Sequence, residues 1–440
     1  MSIALPKELN YSRAQSLPAS TQSQSIVTSP INASKFQPGS LVQFDLLSRG
    51  YLVPESLYIR YKLTISASAG LAAGVFLRAT PVYTPFFRLE LIAGSQTIES
   101  ISQYNQVCNM LVNCKMSYSD KVGMSSAFGY TGVTAAGGTA ADPFIAAPFL
   151  TTESCNGLAL DGLTTSGSIS FAAPLGCLLS NSDSLVPLQS LPSMRVQLTL
   201  DSLSNIMSSI TNITTLELSN VELCYDIITF DPMVDQAISQ MNNGVITIKS
   251  QSYLNSGVTV PIGMSGMSEY MFNLRVASLK SMYLHLSGVD ANKLNGLFDS
   301  VDITSNKGDY QFFVAGQAYP QRALSTLLNK AGILIELASS FGPAHDLSTS
   351  KMSITPLEFN SINSTTTTKS QMGKFYVGVN TEKLSTNNAL LTGISSQSSP
   401  ISVRINTSVA TTAAQTINLI VCYDALLQID LNQKSIVVLQ

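Results

Sequence analysis

Residues suited to acid-base or metal chemistry are few in this chain. The sequence holds two histidines, His285 and His345. His285 lies in an alternating segment, residues 281–286, and the alternation predicts a solvent-facing strand position beside Tyr283. His345, within Phe-Gly-Pro-Ala-His-Asp, is predicted to lie in a loop. Because no cysteine or carboxylate stands at ligand spacing from either histidine, the sequence predicts no transition-metal site and no cofactor.

Paired carboxylates are the remaining route to catalysis. Glycosidases need two acids at a suitable separation in space, and Glu382, Asp290 and Asp302 are the candidates for such a pair. A sugar site usually adds exposed aromatic platforms, and the chain has no tryptophan. The GxSxG, Walker-type and HExxH patterns are absent, and the Gly-Met-Ser-Gly-Met-Ser string at Gly263 lacks a strand-turn-helix context. The sequence therefore predicts a protein that is not an enzyme.

The six cysteines do not form a zinc, redox or disulfide pattern. None has CxxC spacing, and together they do not make a compact framework. We expect them to be small buried hydrophobic residues in a reducing compartment. They are Cys108, Cys114, Cys155, Cys177, Cys224 and Cys422.

The composition favours an oligomer. Only 12% of the residues are charged and 45% are hydrophobic, whereas ordinary soluble proteins have roughly 25% charged residues. Such chains often cover much of their surface with other subunits, because large obligate interfaces resemble a core cut in half. A secreted monomer with a Ser/Thr-rich sheet surface would account for the same composition.

The net charge of −3, without a run of Lys or Arg, predicts no direct nucleic-acid binding.

Neither a secretion signal nor a membrane-spanning segment is predicted. The N-terminus has Leu5 and Pro6 where a signal peptide needs an apolar core. The apolar stretch at residues 69–83 is interrupted by Arg78 and Pro81, so it falls short of the about 18 residues that span a bilayer.

Alternating hydrophobic residues dominate the chain after residue 40. Apolar side chains recur at every second position in six segments, which is the period of strands with one buried and one wet face. Their apolar positions are Leu57, Ile59, Tyr61, Leu63 and Ile65; Phe87, Leu89 and Leu91; Met194, Val196, Leu198 and Leu200; Phe272, Leu274 and Val276; Met282, Leu284 and Leu286; and Ile401, Val403 and Ile405. Helical spacing is confined to residues 101–114 and 322–337. The sequence therefore predicts an all-β fold of antiparallel sheets with few short helices.

A weak internal repeat divides the chain into two halves. VELCYDIITFD, which begins at Val221, is echoed by LIVCYDALLQID, which begins at Leu419. Upstream of each, a strand runs into Ala-Gly and then a helix, at Ala93 and at Ala315. Because the landmarks keep one order in both halves, the sequence predicts two copies of one β-sandwich.

The repeat fixes the predicted environment of two tyrosines and two cysteines. Alternation places Tyr225 and Tyr423 at equivalent positions on a face buried between sheets. It places Cys224 and Cys422 at equivalent positions in different sandwiches, too far apart to form a disulfide with each other.

The predicted organisation has five parts. The two sandwiches occupy residues 41–231 and 245–430, and residues 232–244 link them. Residues 1–40, rich in Ser, Gln, Thr and Pro, are predicted to form an extended arm. Residues 431–440 are predicted to form a C-terminal tail.

The first sandwich is predicted to carry a long insertion. Residues 116–165 contain GYTGVTAAGGTAADP, and their Gly/Ala/Thr bias is typical of a surface excursion from a sandwich.

Several stretches resemble the double jelly-roll major capsid proteins of the adenovirus and tectivirus lineage of DNA viruses. SLVQFDLLSRGYLVPESLYIRYKLTI resembles the opening strands of the first roll, RLELIAGSQTIESISQYNQVCNML its strand, hairpin and helix, and LQSLPSMRVQLTL a late strand. YQFFVAGQAYPQR and KFYVGVNTEKLSTNNALLTGISSQSSPISVRI resemble the corresponding strand and the region before the last strands of the second roll. The resemblance covers most of residues 41–430. It implies two eight-stranded jelly-roll sandwiches in tandem.

The resemblance implies a structural role. Three copies of a viral major capsid protein would form a pseudo-hexagonal capsomer, with residues 116–165 rising outward as a tower. Capsomers assembled inside the host cell would tile the icosahedral capsid of the virion, beside penton and minor capsid proteins and, in many relatives, over an internal membrane. The alternatives are a minor capsid or penton protein, and a carbohydrate-binding or carbohydrate-active β-sandwich protein.

Overall fold

The computed structural model describes most of the chain. The described ranges are 21–68, 77–78, 80–129, 166–207, 210, 212–288, 296–342, 352–354, 356–360, 373–382, 391–411 and 414–440. In these ranges strands predominate and form four antiparallel sheets, in agreement with the all-β prediction.

The first two sheets come from residues 21–230. Their strands are β1 (Thr21–Thr28), β2 (Lys35–Phe36), β3 (Leu41–Asp45), β4 (Tyr51–Leu52), β5 (Tyr58–Ala67), β6 (Phe86–Ala93), β7 (Gln96–Ser102), β8 (Ser166–Pro174), β9 (Val186–Pro187), β10 (Met194–Leu200) and β11 (Ile213–Phe230). Sheet 1 has the order β8-β5-β11-β4-β9, with β1 and β2 also paired to β11, and sheet 2 has the order β3-β10-β6-β7. Tyr61 of sheet 1 contacts Phe86 of sheet 2, with ring centroids 5.4 Å apart. We call this pair of sheets the first sandwich.

The other two sheets come from residues 245–439. Their strands are β12 (Val245–Val260), β13 (Gly266–Phe272), β14 (Leu279–Gly288), β15 (Gly308–Val314), β16 (Gln317–Ser325), β17 (Tyr376–Asn380), β18 (Ile401–Thr407), β19 (Gln415–Asp430) and β20 (Ser435–Leu439). Sheet 3 has the order β12-β19-β14-β17, with β20 also paired to β19, and sheet 4 has the order β13-β18-β15-β16. We call this pair the second sandwich.

The two sandwiches repeat one strand order. In sheet 2, β3-β10-β6-β7 corresponds to β13-β18-β15-β16 of sheet 4, and β8-β5-β11 of sheet 1 corresponds to β17-β14-β19 of sheet 3. The two Ala-Gly pairs occupy the equivalent tight turns, where Gly94 and Gly316 have φ angles of 60° and 79° that favour glycine. The internal repeat is therefore visible in the topology.

Seven short α-helices accompany the sheets in the described residues. They are α1 (Tyr104–Lys115), α2 (Tyr118–Gly123), α3 (Ser125–Phe128), α4 (Leu203–Ile206), α5 (Pro232–Met241), α6 (Lys330–Ser339) and α7 (Pro356–Phe359). Both predicted helices exist, but each begins later than predicted. Gln103, with a φ of 47°, separates β7 from α1, and Asn329 caps α6 by accepting a 2.9 Å hydrogen bond from the Gly332 amide.

The alternation correctly predicts the buried faces of most strands. The inward positions of β5 and β10 are almost wholly inaccessible. Phe87 is an exception, since it is 37% exposed whereas Phe86 is fully buried. Thr199 pairs with Arg88 but Leu200 pairs with Phe86, so Phe87 is an extra residue in a β-bulge. The bulge shifts the side-chain alternation by one position, which the sequence pattern does not reveal.

Four elements outside the predicted sandwiches have regular structure, namely β1, β2, α5 and β20. Strand β1 pairs along β11, from Thr21 opposite Phe230 to Thr28 opposite Leu223, and β20 pairs with the end of β19. Both continue the hydrogen-bond ladder of a neighbouring strand. The predicted linker contains α5, because Asp231 accepts a hydrogen bond from the Met233 amide as N-cap and Pro232 follows it.

Two predicted segments lie wholly or largely outside the described residues. These are residues 1–20 of the arm and residues 130–165 of the insertion.

The repeated tyrosines are buried as predicted. Tyr225 and Tyr423 are each 1% exposed. The Tyr225 hydroxyl accepts a 2.9 Å hydrogen bond from the Leu47 amide, and the Tyr423 hydroxyl donates to Gln440 at 2.9 Å. Both buried phenol groups therefore have hydrogen-bond partners.

Candidate functional site

The structure buries His285, so the predicted solvent-facing position is wrong. His285 and its neighbour Tyr283 are both inaccessible, because β14 is an inner strand of sheet 3 whose outer face is also covered. Nε2 of His285 donates to the Phe298 carbonyl oxygen at 3.3 Å. Burial lowers the pKa of His285 to about 4, so the ring is neutral near pH 7 and unsuited to act as a surface base.

The described acid candidates do not form a catalytic pair. Asp302 is fully buried and accepts hydrogen bonds from the Tyr310 hydroxyl at 2.9 Å and the Thr304 hydroxyl at 2.7 Å. These bonds hold the turn before β15. Glu382 instead lies 3.7 Å from the Lys280 ammonium. The remaining candidates, Asp290 and His345, lie outside the described residues.

The described residues offer no cluster of three or more His, Cys, Asp or Glu side chains that could hold a metal ion. Among the helices in these ranges, none is long and apolar enough to cross a membrane.

The polar site that the structure does contain lies where the two sandwiches meet. Helix α1 presents a row of buried amides, Asn105, Asn109 and Asn113, with Gln106 beside them. Their spacing of four residues aligns them on one helix face. We call the contact between the α1, β7 and Leu178 region of the first sandwich and the outer face and β12 edge of sheet 3 the junction.

The α1 amides bind groups of the second sandwich directly. The Asn418 amide nitrogen donates to Gln106 at 2.8 Å, and the Asn113 amide nitrogen donates to the Tyr376 hydroxyl at 3.3 Å. Asn109 contacts the Phe298 carbonyl oxygen at 3.4 Å, the same oxygen that accepts from His285. Because buried amides are costly to leave unpaired, these bonds favour one arrangement of the two sandwiches.

A buried carboxyl group forms the second part of the junction. Glu99 of β7 accepts a hydrogen bond from the Ser252 hydroxyl of β12 and another, 2.8 Å long, from the Leu178 amide. The Leu178 carbonyl in turn accepts from Ser250 at 2.6 Å. Burial raises the pKa of Glu99 to about 7. The carboxyl therefore joins three chain segments and titrates near neutral pH.

The junction is the functional feature that the sequence reading missed. The helical spacing of apolar residues within 101–114 predicts one apolar helix face. The amides at positions 105, 109 and 113 form a second stripe in the same helix. A stripe of amides beside an apolar stripe is the sequence signal that could have indicated that α1 packs against other residues on two faces, one of them polar.

Comparison with protein-family models and with curated protein sequences finds no match. Solved structures do match. The Faustovirus major capsid protein superposes with a TM-score of 0.62 at 10% identity, over 96% of this chain and 92% of that chain. A chain of the Sputnik virophage particle gives 0.59 at 15% identity, over 100% and 92%. The mavirus major capsid protein gives 0.55 at 10% identity, over 100% and 95%.

These superpositions define the fold of the chain. It is a double jelly roll, since both pairs of sheets superpose along nearly the whole length of each structure. The fold that the sequence resemblance implies is confirmed. The proteins on which this chain superposes are components of virus particles.

Proposed function

We propose that the protein is a viral major capsid protein with a structural role in the virion. The observation that carries the proposal is the match over nearly the full length of both chains to the Faustovirus and mavirus major capsid proteins. A chain that shared one sandwich with these proteins would match over only half of its length. Function resides in sites and surfaces rather than in the fold itself, so the surface chemistry matters as well.

Further support comes from exposed apolar side chains. Met267 and Met271, on the edge strand β13, are 68% and 69% exposed, and Met233 and Met241, on α5, are 77% and 84% exposed. Methionines adapt to irregular partner surfaces. Their exposure in a chain with so few charges supports an oligomer in which these surfaces meet other subunits.

In the proposed assembly three copies form a pseudo-hexagonal capsomer. The two sandwiches, residues 41–231 and 245–430, stand side by side in each copy. The insertion at residues 116–165 begins with α2 and α3, where Phe128 packs against Tyr83 of the first sandwich, and then rises outward as a tower. Residues 1–40 then contact neighbouring capsomers or an underlying layer. The partners are the other copies, penton and minor capsid proteins and, where one exists, an internal membrane.

Light scattering coupled to size-exclusion chromatography tests the capsomer. We expect three times the 46.9 kDa mass of one chain at micromolar protein, and no dissociation as salt is raised, because apolar burial holds the contacts. Hexagonal rings should appear in negative-stain images. A single-chain mass at micromolar concentration and moderate salt would contradict the proposal and favour the carbohydrate-binding alternative.

A variant pair at one position sharpens this test. Met271→Asp places a charge on the exposed side of β13 and should reduce the trimer fraction at least tenfold, whereas Met271→Leu keeps an apolar side chain and should leave it unchanged. Equal trimer fractions for the two variants would show that this edge lies outside the interface.

A further inference from the structure

A cavity of about 490 Å³ opens at the junction. Its floor is one row of side chains across the four strands of sheet 3. Tyr253 pairs with Cys422, Cys422 with Ser281, and Ser281 with Asn380. The C-terminal ends of α1 and α6 form its walls, so the cavity requires both sandwiches.

A bulge in β14 places Lys280 on the cavity side of sheet 3. Tyr423 pairs with Leu279 and Cys422 pairs with Ser281, so Lys280 is the extra residue between them. Bulges commonly redirect a side chain at a binding site. The Lys280 ammonium lies 3.6 Å from Asp424 and 3.7 Å from Glu382, so these two acids already balance its charge.

Lys115, the last residue of α1, brings a second ammonium into the cavity. In the described part of the chain no carboxylate lies within 4.0 Å of it. One of its three N–H groups donates to the Tyr253 hydroxyl at 3.2 Å. Part of the Lys115 residue is accessible to solvent, while burial of the ammonium lowers the pKa of Lys115 below its ordinary value. The ammonium therefore has N–H groups available for an anion entering the cavity.

The other polar groups of the cavity are mostly occupied. The Ser281 hydroxyl donates to Tyr283 at 2.8 Å, and the Tyr283 hydroxyl donates to the Ser340 carbonyl at 3.0 Å. Asn380 donates to the Ser339 carbonyl at 3.2 Å. The Tyr253 hydroxyl also interacts with the Cys422 thiol, so the free charged donors are the remaining N–H groups of Lys115. These groups favour an acceptor that carries negative charge.

One wall of the cavity is aromatic. The Phe341 ring stacks on Tyr283 with ring centroids 4.6 Å apart. The Lys115 ammonium lies 5.9 Å from the centroids of both Phe341 and Tyr253. An apolar or aromatic body attached to the anion would contact this wall while its charged group reached Lys115.

We propose that this cavity binds a small organic anion, with a carboxylate or phosphate group at Lys115 and Tyr253 and an aromatic body against Phe341. Such a ligand bridges α1 of the first sandwich and sheet 3 of the second. The site goes beyond the proposed capsid role and does not depend on it.

Calorimetric titration of the full chain with phenyl phosphate tests the site, with phenol as the uncharged control. We expect phenyl phosphate to bind with a Kd below about 1 mM and phenol to bind at least tenfold more weakly. Lys115→Gln should weaken phenyl phosphate binding at least tenfold, and Lys115→Arg should retain it. The matched control, Lys62→Gln, removes an exposed lysine far from the cavity and should bind as the native chain does.

Acetylation by a succinimidyl ester, mapped by mass spectrometry, locates the ligand. Saturating phenyl phosphate should slow the modification of Lys115 about tenfold and leave Lys62 unchanged. The proposal is overturned if phenol binds as tightly as phenyl phosphate, or if Lys115→Gln binds as tightly as the native chain. It is also overturned if Lys115→Gln lowers the melting temperature and the native chain shows no binding, since Lys115 would then serve only the end of α1.

Discussion

The last long strands of the two sandwiches, β11 and β19, share a Cys-Tyr-Asp sequence but differ in what covers its aspartate. Asp226 of β11 is partly exposed and accepts a hydrogen bond from Ser25 at 2.5 Å. Asp424 of β19 is fully buried and accepts three hydrogen bonds of 2.9 Å, from Ser278 and from the amide and hydroxyl of Thr392. The same triplet thus has a solvent-accessible carboxylate in β11 and a buried carboxylate in β19.

The difference arises from what covers the outer face of each sheet, and the hydrogen-bond partners of Asp424 belong to its own sandwich. The outer face of sheet 1 has exposed Tyr58, Arg60 and Lys62 on β5, whereas the outer face of sheet 3 lies under α1 and β7. Local sequence determines which side chains share a face. Whether that face is exposed to solvent depends on chain segments that are distant in sequence.

The largest expected change in stability comes from the inner faces of β11 and β19, where Tyr225 and Tyr423 occupy equivalent positions. Tyr225→Ala and Tyr423→Ala should each lower the free energy of unfolding by about 3 to 5 kcal/mol, because each removes a large buried aromatic ring. Tyr58→Ala, at a 39% exposed position, is the control and should cost below about 1 kcal/mol. Chemical denaturation measures all three. A loss below about 0.5 kcal/mol at both buried tyrosines would contradict the two-copy interpretation.

The second prediction tests the difference at the outer faces. Asp424→Asn should cost about 3 kcal/mol, since it leaves Lys280 and Lys249, 3.6 and 3.9 Å away, without their shared buried carboxylate. Asp226→Asn should cost below about 1 kcal/mol, because water already reaches that group. Denaturant titration measures the free energy of unfolding of both variants. Equal losses would contradict the assignment of Asp424 as buried and Asp226 as solvent-accessible.

The third prediction concerns the pH dependence of the junction. The pKa of Glu99 is raised from 4.5 to about 7 in the folded chain, so folding favours its protonated form. Its contribution to stability is fully present below pH 4.5 and is lost as pH rises towards 7. One pKa unit corresponds to about 1.4 kcal/mol, so the loss should be about 3 kcal/mol.

Glu99→Gln removes this titration. The difference in unfolding free energy between the variant and the native chain should therefore change between pH 5 and pH 8, with the variant gaining relative stability as pH rises. Glu217→Gln, which changes a carboxylate with a surface lysine partner, is the control and should show little such change. If the unfolding free energies of the native chain and Glu99→Gln depended on pH in the same way, the raised pKa of Glu99 would be contradicted.

The smallest effect concerns the amide contacts. Gln106→Ala and Asn418→Ala each remove one partner of the 2.8 Å bond across the junction and should each cost about 1 to 2 kcal/mol. In a double-mutant cycle the coupling energy should be about 1 kcal/mol. If the two losses in unfolding free energy were additive, the hydrogen bond between Gln106 and Asn418 would contribute no coupling energy between the sandwiches.

The sequence predicted most of the strands because their inner faces alternate with period two. The inward residues of β5 and β10 satisfy that rule, and so do Met282, Leu284 and Leu286 of β14. The failures have local or tertiary causes. Phe87 lies in a bulge, and Ile101 continues β7 because the chain enters α1 only after Gln103.

The environment of the junction could not be predicted in the same way. His285 alternates with apolar residues like a surface strand residue, yet it is buried because residues 296–298 and Tyr376 lie against it. Glu99 and Ser252 are far apart in sequence, and no local pattern indicates that they meet. The cavity at Lys115 likewise depends on a bulge and on the relative positions of two sandwiches.

The burial of sheet 3 on both sides has a consequence for the order in which the chain folds. Helix α1 is synthesised before every strand of sheet 3 that it covers, and N-terminal domains generally fold first during translation. The exposed surface of a newly folded first sandwich would be rich in amides, which water can solvate. The matching surface of the second sandwich contains Ile420, Cys422 and Tyr253, which water solvates poorly. We therefore expect the first half to act as a template on the ribosome, and the second half expressed alone to aggregate.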